Sequence, residues 1–312
     1  MTYHRWVPLV YCAALAACLT ASLPAARAAY RGRDGDLVYS RHAPSGHDQI
    51  YRIHVNGSGT KRLTSFPADS IFSAWAPNGR LIAFDSDHLG PVEIFIMRPD
   101  GTHLRAVTHL PGANLNPDWS PDGTRIVFTH YPQGGTVGSI WTVRADGADP
   151  HPITTAIRDQ GFPRYSPDGR LILFASTTSA GVPALFLMHS DGTHQHRLTP
   201  LRLHAGSGDW SPNGRRIVSW TNVDLPHSVI FTIQPNGRHV HILTSGPRVR
   251  NDFEPVFAPS GHRIAFIRAL SLTAQTDLWV MRANGHDPHD ITNTPGTSEQ
   301  GPDWGSRPPH PQ

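Results

Sequence analysis

Asn116-Pro117-Asp118-Trp119-Ser120-Pro121-Asp122-Gly123-Thr124-Arg125-Ile126-Val127-Phe128 is the fullest copy of a phrase that returns six times along the 312-residue chain. Its turn glycine recurs at Gly35, Gly79, Gly123, Gly169, Gly214 and Gly261, in steps of 44, 44, 46, 45 and 47 residues. A second turn glycine keeps the same time at Gly57, Gly101, Gly147, Gly192, Gly237 and Gly285. Each unit closes on a threonine: Thr64, Thr108, Thr154, Thr199, Thr244 and Thr292. A period in the mid-forties, with two tight turns and short β-type runs, is the signature of a propeller blade.

The third unit shows how one repeat becomes one blade. Residues 118–120 form a short strand, and Ser120-Pro121-Asp122-Gly123 reverses the chain. Proline presets φ at the second turn position, and glycine takes a positive φ without a Cβ penalty. Residues 125–128 return as a strand of β-branched and aromatic side chains. Residues 139–143 supply the third strand, Ala145-Asp146-Gly147 the next turn, and 152–154 the outer strand. The predicted fold is all-β, a six-bladed propeller of four-stranded antiparallel blades. The aromatic before each first turn (Trp75, Trp119, Tyr165, Trp210, Phe257, Trp304) recurs too regularly for a unique site and is expected to wedge between neighbouring blades. The first unit begins at its turn and lacks that aromatic strand, whereas Gly301-Pro302-Asp303-Trp304 is an orphan copy of it. The C-terminal strand is therefore expected to complete the first blade and leave no open edge.

The first 29 residues read as a targeting segment: His4 and Arg5, an apolar run over 6–23, Pro24, then Ala26-Arg27-Ala28. Cleavage near Ala28 or Ala29 is one reading. A lipobox-like Leu15-Ala16-Ala17-Cys18, leaving an acylated Cys18, is another, and an uncleaved anchor a third; all three export the domain. The expected organisation is a leader over 1–29, the propeller over 30–305 and a disordered Pro-rich tail over 306–312. Both cysteines, Cys12 and Cys18, fall in the leader, so a domain cleaved near Ala28 has neither disulfide nor thiolate chemistry. Removing Arg5 and Arg27 leaves 25 basic residues against 24 Asp and Glu. That balance carries no general electrostatic footprint for nucleic acid. A monomer is expected.

Trp-Ser-Pro-Asp-Gly followed by Arg-Ile-x-Phe, and later Asp-Gly-x-x-x-x-Leu-Thr, resembles the WD-like repeat of TolB-type β-propellers. The best copies run over 119–128, 165–174 and 210–218, and the likeness covers nearly the whole domain. It implies an exported scaffold that binds a protein or peptide at the cell envelope. TolB-type proteins carry an α/β domain before the propeller; few residues here separate leader from first blade, so the sequence predicts no such domain. The repeat also accompanies prolyl-oligopeptidase-type hydrolases, whose catalytic set lies in a separate domain.

Chemistry-bearing motifs are scarce. The chain has no Gly-x-Ser-x-Gly elbow, no His-Glu-x-x-His helix and no phosphate-binding Gly-x-x-x-x-Gly-Lys loop. No catalytic residue, metal ligand set or cofactor is predicted. Among the 20 histidines, His151, His196, His241 and His289 share one blade position and should be spread around the rim. The alternative function is a metal-assisted propeller enzyme acting on a carbohydrate or small molecule, resembling oligogalacturonate lyases, with His42, His88, His130 and His204 as candidate ligands. The glycine turns lie on one face, and the long, unlike connections (65–73, 109–116, 155–163, 200–208, 245–254 and 293–302) on the other. Binding on rigid repeat scaffolds concentrates in such variable loops. The candidate partner-binding residues are Arg158, Asp159, His204, Arg248, Arg250, Asp252 and Glu254, the arginines being suited to clamp carboxylates.

Overall fold

The computed structural model describes residues 32–42, 46–155, 158–177, 181–200, 202–222, 227–245, 250–270 and 275–307. The leader with Cys12 and Cys18, the last five residues of the tail, and Arg248 lie outside the described residues. Among the described residues there is no helix, and hence none long and apolar enough to cross a membrane.

Six four-stranded antiparallel sheets follow one another around a ring. In blade 3 the strands are Gly112–Trp119, Arg125–Pro132, Ser139–Arg144 and His151–Pro152, from the axis outward. Blade 1 has the expected irregular composition: Glu299–Ser306 supplies its inner strand and pairs antiparallel with Asp34–His42. Trp304 lies opposite Leu37, and Ser306, placed by the sequence in the tail, lies opposite Asp34.

The recurrent residues have distinct tasks. In the first turn of blade 3, Gly123 stands at φ 71°, and Asp122 Oδ1 accepts hydrogen bonds from Ser120 Oγ and the Thr124 amide. Each closing threonine turns its hydroxyl inward to accept the amide proton of the neighbouring third strand, as Thr108 does from Ile94 and Thr154 from Ile140, both at 2.9 Å. Thr64, Thr199, Thr244 and Thr292 repeat the bond with Ile50, Leu185, Ile230 and Leu278. A buried backbone donor is thereby satisfied where the two-residue outer strand ends.

The aromatics are the expected wedges. Trp119 is almost wholly buried among Ala74, Ile94 and Val107 of blade 2 and Ile126, Phe128 and Val143 of its own blade. Its Nε1 donates to the Ala74 carbonyl at 3.2 Å. Trp210 bridges blades 4 and 5 in the same manner.

The inner strands reach further than the sequence indicates. They begin at Ser70, Gly112, Gln160, Ala205, Asn251 and Glu299, so the second half of each supposed long loop is a strand lining the axis. Three residues before the aromatic, Phe72, Asn116, Phe162, Glu254 and Gly301 adopt positive φ between 43° and 58°. The register shifts at that point in every blade, as a β-bulge requires.

Candidate functional site

The inner strands surround an axial channel with two layers of side chains. The layer nearer the short turns comes from the residue just before the aromatic in four blades, Asp118, Arg164, Asp209 and Asp303; the equivalent Ala74 and Val256 are buried in the core clusters between blades. Carboxylates alternate around the ring. Asp118 accepts the Tyr165 amide at 2.8 Å, Asp209 that of Phe257 at 2.7 Å, and Asp303 that of Trp75 at 2.6 Å. Blades 3, 5 and 1 are thus each stitched to the following blade by a charge-assisted hydrogen bond. Arg164, from blade 4, lies 3.4 Å from Asp118. The layer opens between the short turns as a cavity of about 60 Å³ lined by Asp118, Asp209, Asp303 and the aromatics Trp75, Tyr165, Trp210, Phe257 and Trp304.

The electrostatics follow from one arginine facing three aspartates inside protein. Asp118 keeps 15% of its side-chain surface open to the channel and Arg164 keeps 22%. Desolvation pushes Asp209 up to about 7 and Asp118 up to about 6, against the opposing pull of Arg164 and of the backbone amide each accepts. Asp303 is raised by the same burial. Burial draws Arg164 down, but Asp118, Asp303 and Asp209 outweigh it and hold the guanidinium above its usual value.

A folded-state pKa raised above the unfolded value near 4 contributes stability that is full below pH ~4 and lost as pH rises through 6–7. An amide in place of the Asp209 carboxylate would keep an acceptor for the Phe257 amide and remove the charge. Asp209→Asn is therefore expected to raise the melting temperature at pH 7.5 and leave it nearly unchanged at pH 4.5. The difference between mutant and wild-type melting curves across that range checks it; a constant offset would contradict the assignment.

The second layer, towards the long connections, is built from the bulge residues. The rings of Phe72 and Phe162, from blades 2 and 4, meet edge to face across the channel at 5.5 Å. Glu254 turns inward and accepts the Gly301 amide at 2.7 Å, with burial raising its pKa. These groups, with Asn116 and Arg164, line a smaller cavity of about 30 Å³. The phenyl pair floors the long-loop end of the channel.

The candidate partner-binding residues do not form one cluster. Arg158 is exposed. Asp159 accepts the Gly138 amide at 2.8 Å and so pins the blade 3 loop. His204 is half-buried just before the inner strand of blade 5. Asp252 is buried in a two-point ion pair with Arg268, and Arg250 approaches it at 3.7 Å while donating to the Ser245 carbonyl. Glu254 belongs to the channel and is not a loop residue.

The histidines proposed as metal ligands are likewise scattered. His42 lies near Asp48, His88 stacks on Phe66 at 3.8 Å, and His130 is buried against Asn114 and Trp141. Among the described residues, no group of three or more His, Cys, Asp or Glu side chains has metal-binding geometry. The four-residue set Asp118, Arg164, Asp209 and Asp303 escaped the sequence reading. Its one signal was the alternation of acid and non-acid before the aromatic.

This geometry defines a closed six-bladed propeller with a charged, floored axial channel. The chain matches the family model of the TolB beta propeller domain over residues 27–212 and 102–307, and so belongs to the TolB β-propeller family. TolB from Acinetobacter baumannii superposes with a TM-score of 0.75 at 20% identity, over 88% of this chain and 67% of that one. A putative TolB from Agrobacterium tumefaciens gives 0.68 at 17%, over 82% and 88%. An oligogalacturonate lyase in complex with manganese gives 0.60 at 15%, over 81% and 73%. At these identities the likeness is one of fold. Comparison with curated proteins returns no match.

Proposed function

We propose that this chain is an exported, non-catalytic TolB-like propeller that binds a segment of a protein or peptide at the cell envelope through its long-loop face. The observation that carries the reading is the floor formed by Phe72 and Phe162. A segment entering from the long-loop side meets an apolar platform beside Glu254 instead of an open pore, within a rim of six connections that differ in sequence. Polar loops around an apolar centre are the usual anatomy of a protein-binding surface. The glycine turns of the opposite face are short and repeat one backbone conformation, so they offer no long loops to enclose a peptide segment. Membership of the TolB family supports the envelope setting.

The experiment is photo-cross-linking in native envelopes from position 158, with position 98 on the short-turn side as the geometric control. A partner captured from 158, not from 98, and lost on Phe72→Ser with an unchanged melting temperature is the expected result. Capture from both positions alike, or from neither, would sink the reading.

A further inference from the structure

The short-turn face is chemically divided although its turns share one conformation. Asp122 Oδ1 accepts Ser120 Oγ and the Thr124 amide; in blade 5, Asn213 Oδ1 accepts Ser211 Oγ at 2.9 Å and the Arg215 amide at 3.0 Å. The second turns behave alike, with Asp146 accepting the Ala148 amide and Asn236 the Arg238 amide, both at 3.0 Å. Asp and Asn are thus interchangeable for the backbone and differ only in charge. Blades 3 and 4 use aspartate in both turns, at 122, 146, 168 and 191. Blade 5 uses asparagine in both, and blade 6 has Ser260 and Asn284.

The arginines respond accordingly. In blades 3 and 4, Arg125 pairs with Asp149 at 2.8 Å, Arg144 with Asp146 at 2.8 Å, and Arg170 with Asp168 at 3.9 Å. In blades 5 and 6, Arg215, Arg216, Arg238 and Arg263 are exposed and make no ion pair with a described carboxylate. The remaining arginine of that edge, Arg282, lies opposite Arg263 in the sheet and is held by Asp287 at 2.6 Å. The first turns of the two blades adjoin, since a Cβ on Gly261 would stand 3.6 Å from Pro212 Cδ. The result is a basic sector, bordered by Asp34 of blade 1, which accepts the Ser260 amide at 3.0 Å, that the near-zero net charge of the domain conceals.

We propose that the short-turn edge of blades 5 and 6 docks on the phosphate surface of an anionic phospholipid bilayer. Away from the axial cavity, which Asp118, Asp209 and Asp303 line, the short tight turns of blades 5 and 6 make an edge without a groove, so the basic sector does not cup a single polymer strand. A plane of phosphates offers oxygens all along such an edge, and each exposed guanidinium fork matches phosphate oxygens two at a time. Docking by this edge leaves the long-loop face free, and the inference stands whether or not that face binds a partner.

Cosedimentation of the exported protein with vesicles tests it. Phosphatidylglycerol-containing vesicles are the probe, and pure phosphatidylcholine vesicles control for any acyl chain at Cys18. Arg238→Gln/Arg263→Gln is compared with Arg144→Gln/Arg170→Gln, which has the same net charge. Each free arginine should be worth about fivefold in affinity at an anionic surface, so the first pair is expected to weaken binding about 25-fold. The second pair should change it by less than about threefold, because its partners Asp146 and Asp168 already neutralise it. Binding should fall steeply with salt. Equal binding to phosphatidylcholine, equal loss in the two double variants, or equal retention by a soluble acidic polysaccharide would each overturn the proposal. All four arginines are exposed, so unchanged circular dichroism and melting temperature are expected in both variants.

Discussion

Trp304→Ala is expected to cost about 3–5 kcal/mol of unfolding free energy, the range for emptying a buried tryptophan site. Trp304 is 5% exposed and packs with Leu37 and Tyr39 of blade 1 and with Val256, Leu278 and Val280 of blade 6. Its Nε1 donates to the Gly35 carbonyl at 3.3 Å, and the preceding Asp303 accepts the Trp75 amide of blade 2. One short segment therefore ties three blades and joins the last described strand to the first. A domain is commonly stable by only about 5–15 kcal/mol, so this loss is a large share of the whole. Urea unfolding followed by circular dichroism should show a markedly lower midpoint. Trp210→Ala removes a comparably buried wedge inside the ring without touching the seam and is the comparison. A loss under about 1 kcal/mol for Trp304→Ala would mean that the seam is not what holds the ring shut.

The blades and their closure were legible because turn chemistry is local. Gly123 at φ 71° and the Ser120–Asp122 bond are consequences of four adjacent residues, and six copies reinforce one another. The orphan Gly301–Trp304 phrase revealed the seam for the same reason. The inner strands were not legible over 70–73, 112–116 or 251–254. There the bulge breaks the alternation that marks a strand, and Pro117, Pro163, Pro255 and Pro302 follow the left-handed residue and imitate a loop.

The channel was hidden for another reason. Asp118, Arg164, Asp209 and Asp303 are separated by roughly one repeat or two and meet only when the ring closes. Histidine usage also gains a physical explanation. Two residues after the second turn glycine, the backbone is left-handed in every blade, at Gly59, His103, Asp149, His194, His239 and Asp287. Histidine and aspartate are enriched among non-glycine residues that accept this conformation. His103, His194 and His239 are thus backbone choices, as are the aspartates that replace them.

Arg268→Ala is expected to destabilise the domain by about 3–5 kcal/mol, because it strands the buried Asp252 carboxylate. Arg268 Nε donates to Asp252 Oδ1 at 2.6 Å and its terminal nitrogen to Oδ2 at 3.0 Å, with both side chains almost wholly buried. The guanidinium also lies over two rings, 4.4 Å from the Trp279 ring centre and 4.8 Å from that of Phe266. Lysine carries the charge without the planar fork, so Arg268→Lys should recover only part of the loss. Asp252→Asn/Arg268→Met removes both charges and should cost far less than Arg268→Ala alone. Urea midpoints of the three variants decide it: a double variant no better than Arg268→Ala would show that packing of the stem, and not the stranded charge, sets the cost. The result also bears on recognition. Asp252 was a candidate contact in the sequence, but its carboxylate is spent on Arg268 and steadies Arg250 beside the Ser245 carbonyl. Partner capture lost in an Asp252 variant together with stability would therefore report on the blade that presents Arg250. Capture lost at unchanged stability would place Asp252 itself in the contact, against the geometry of the ion pair.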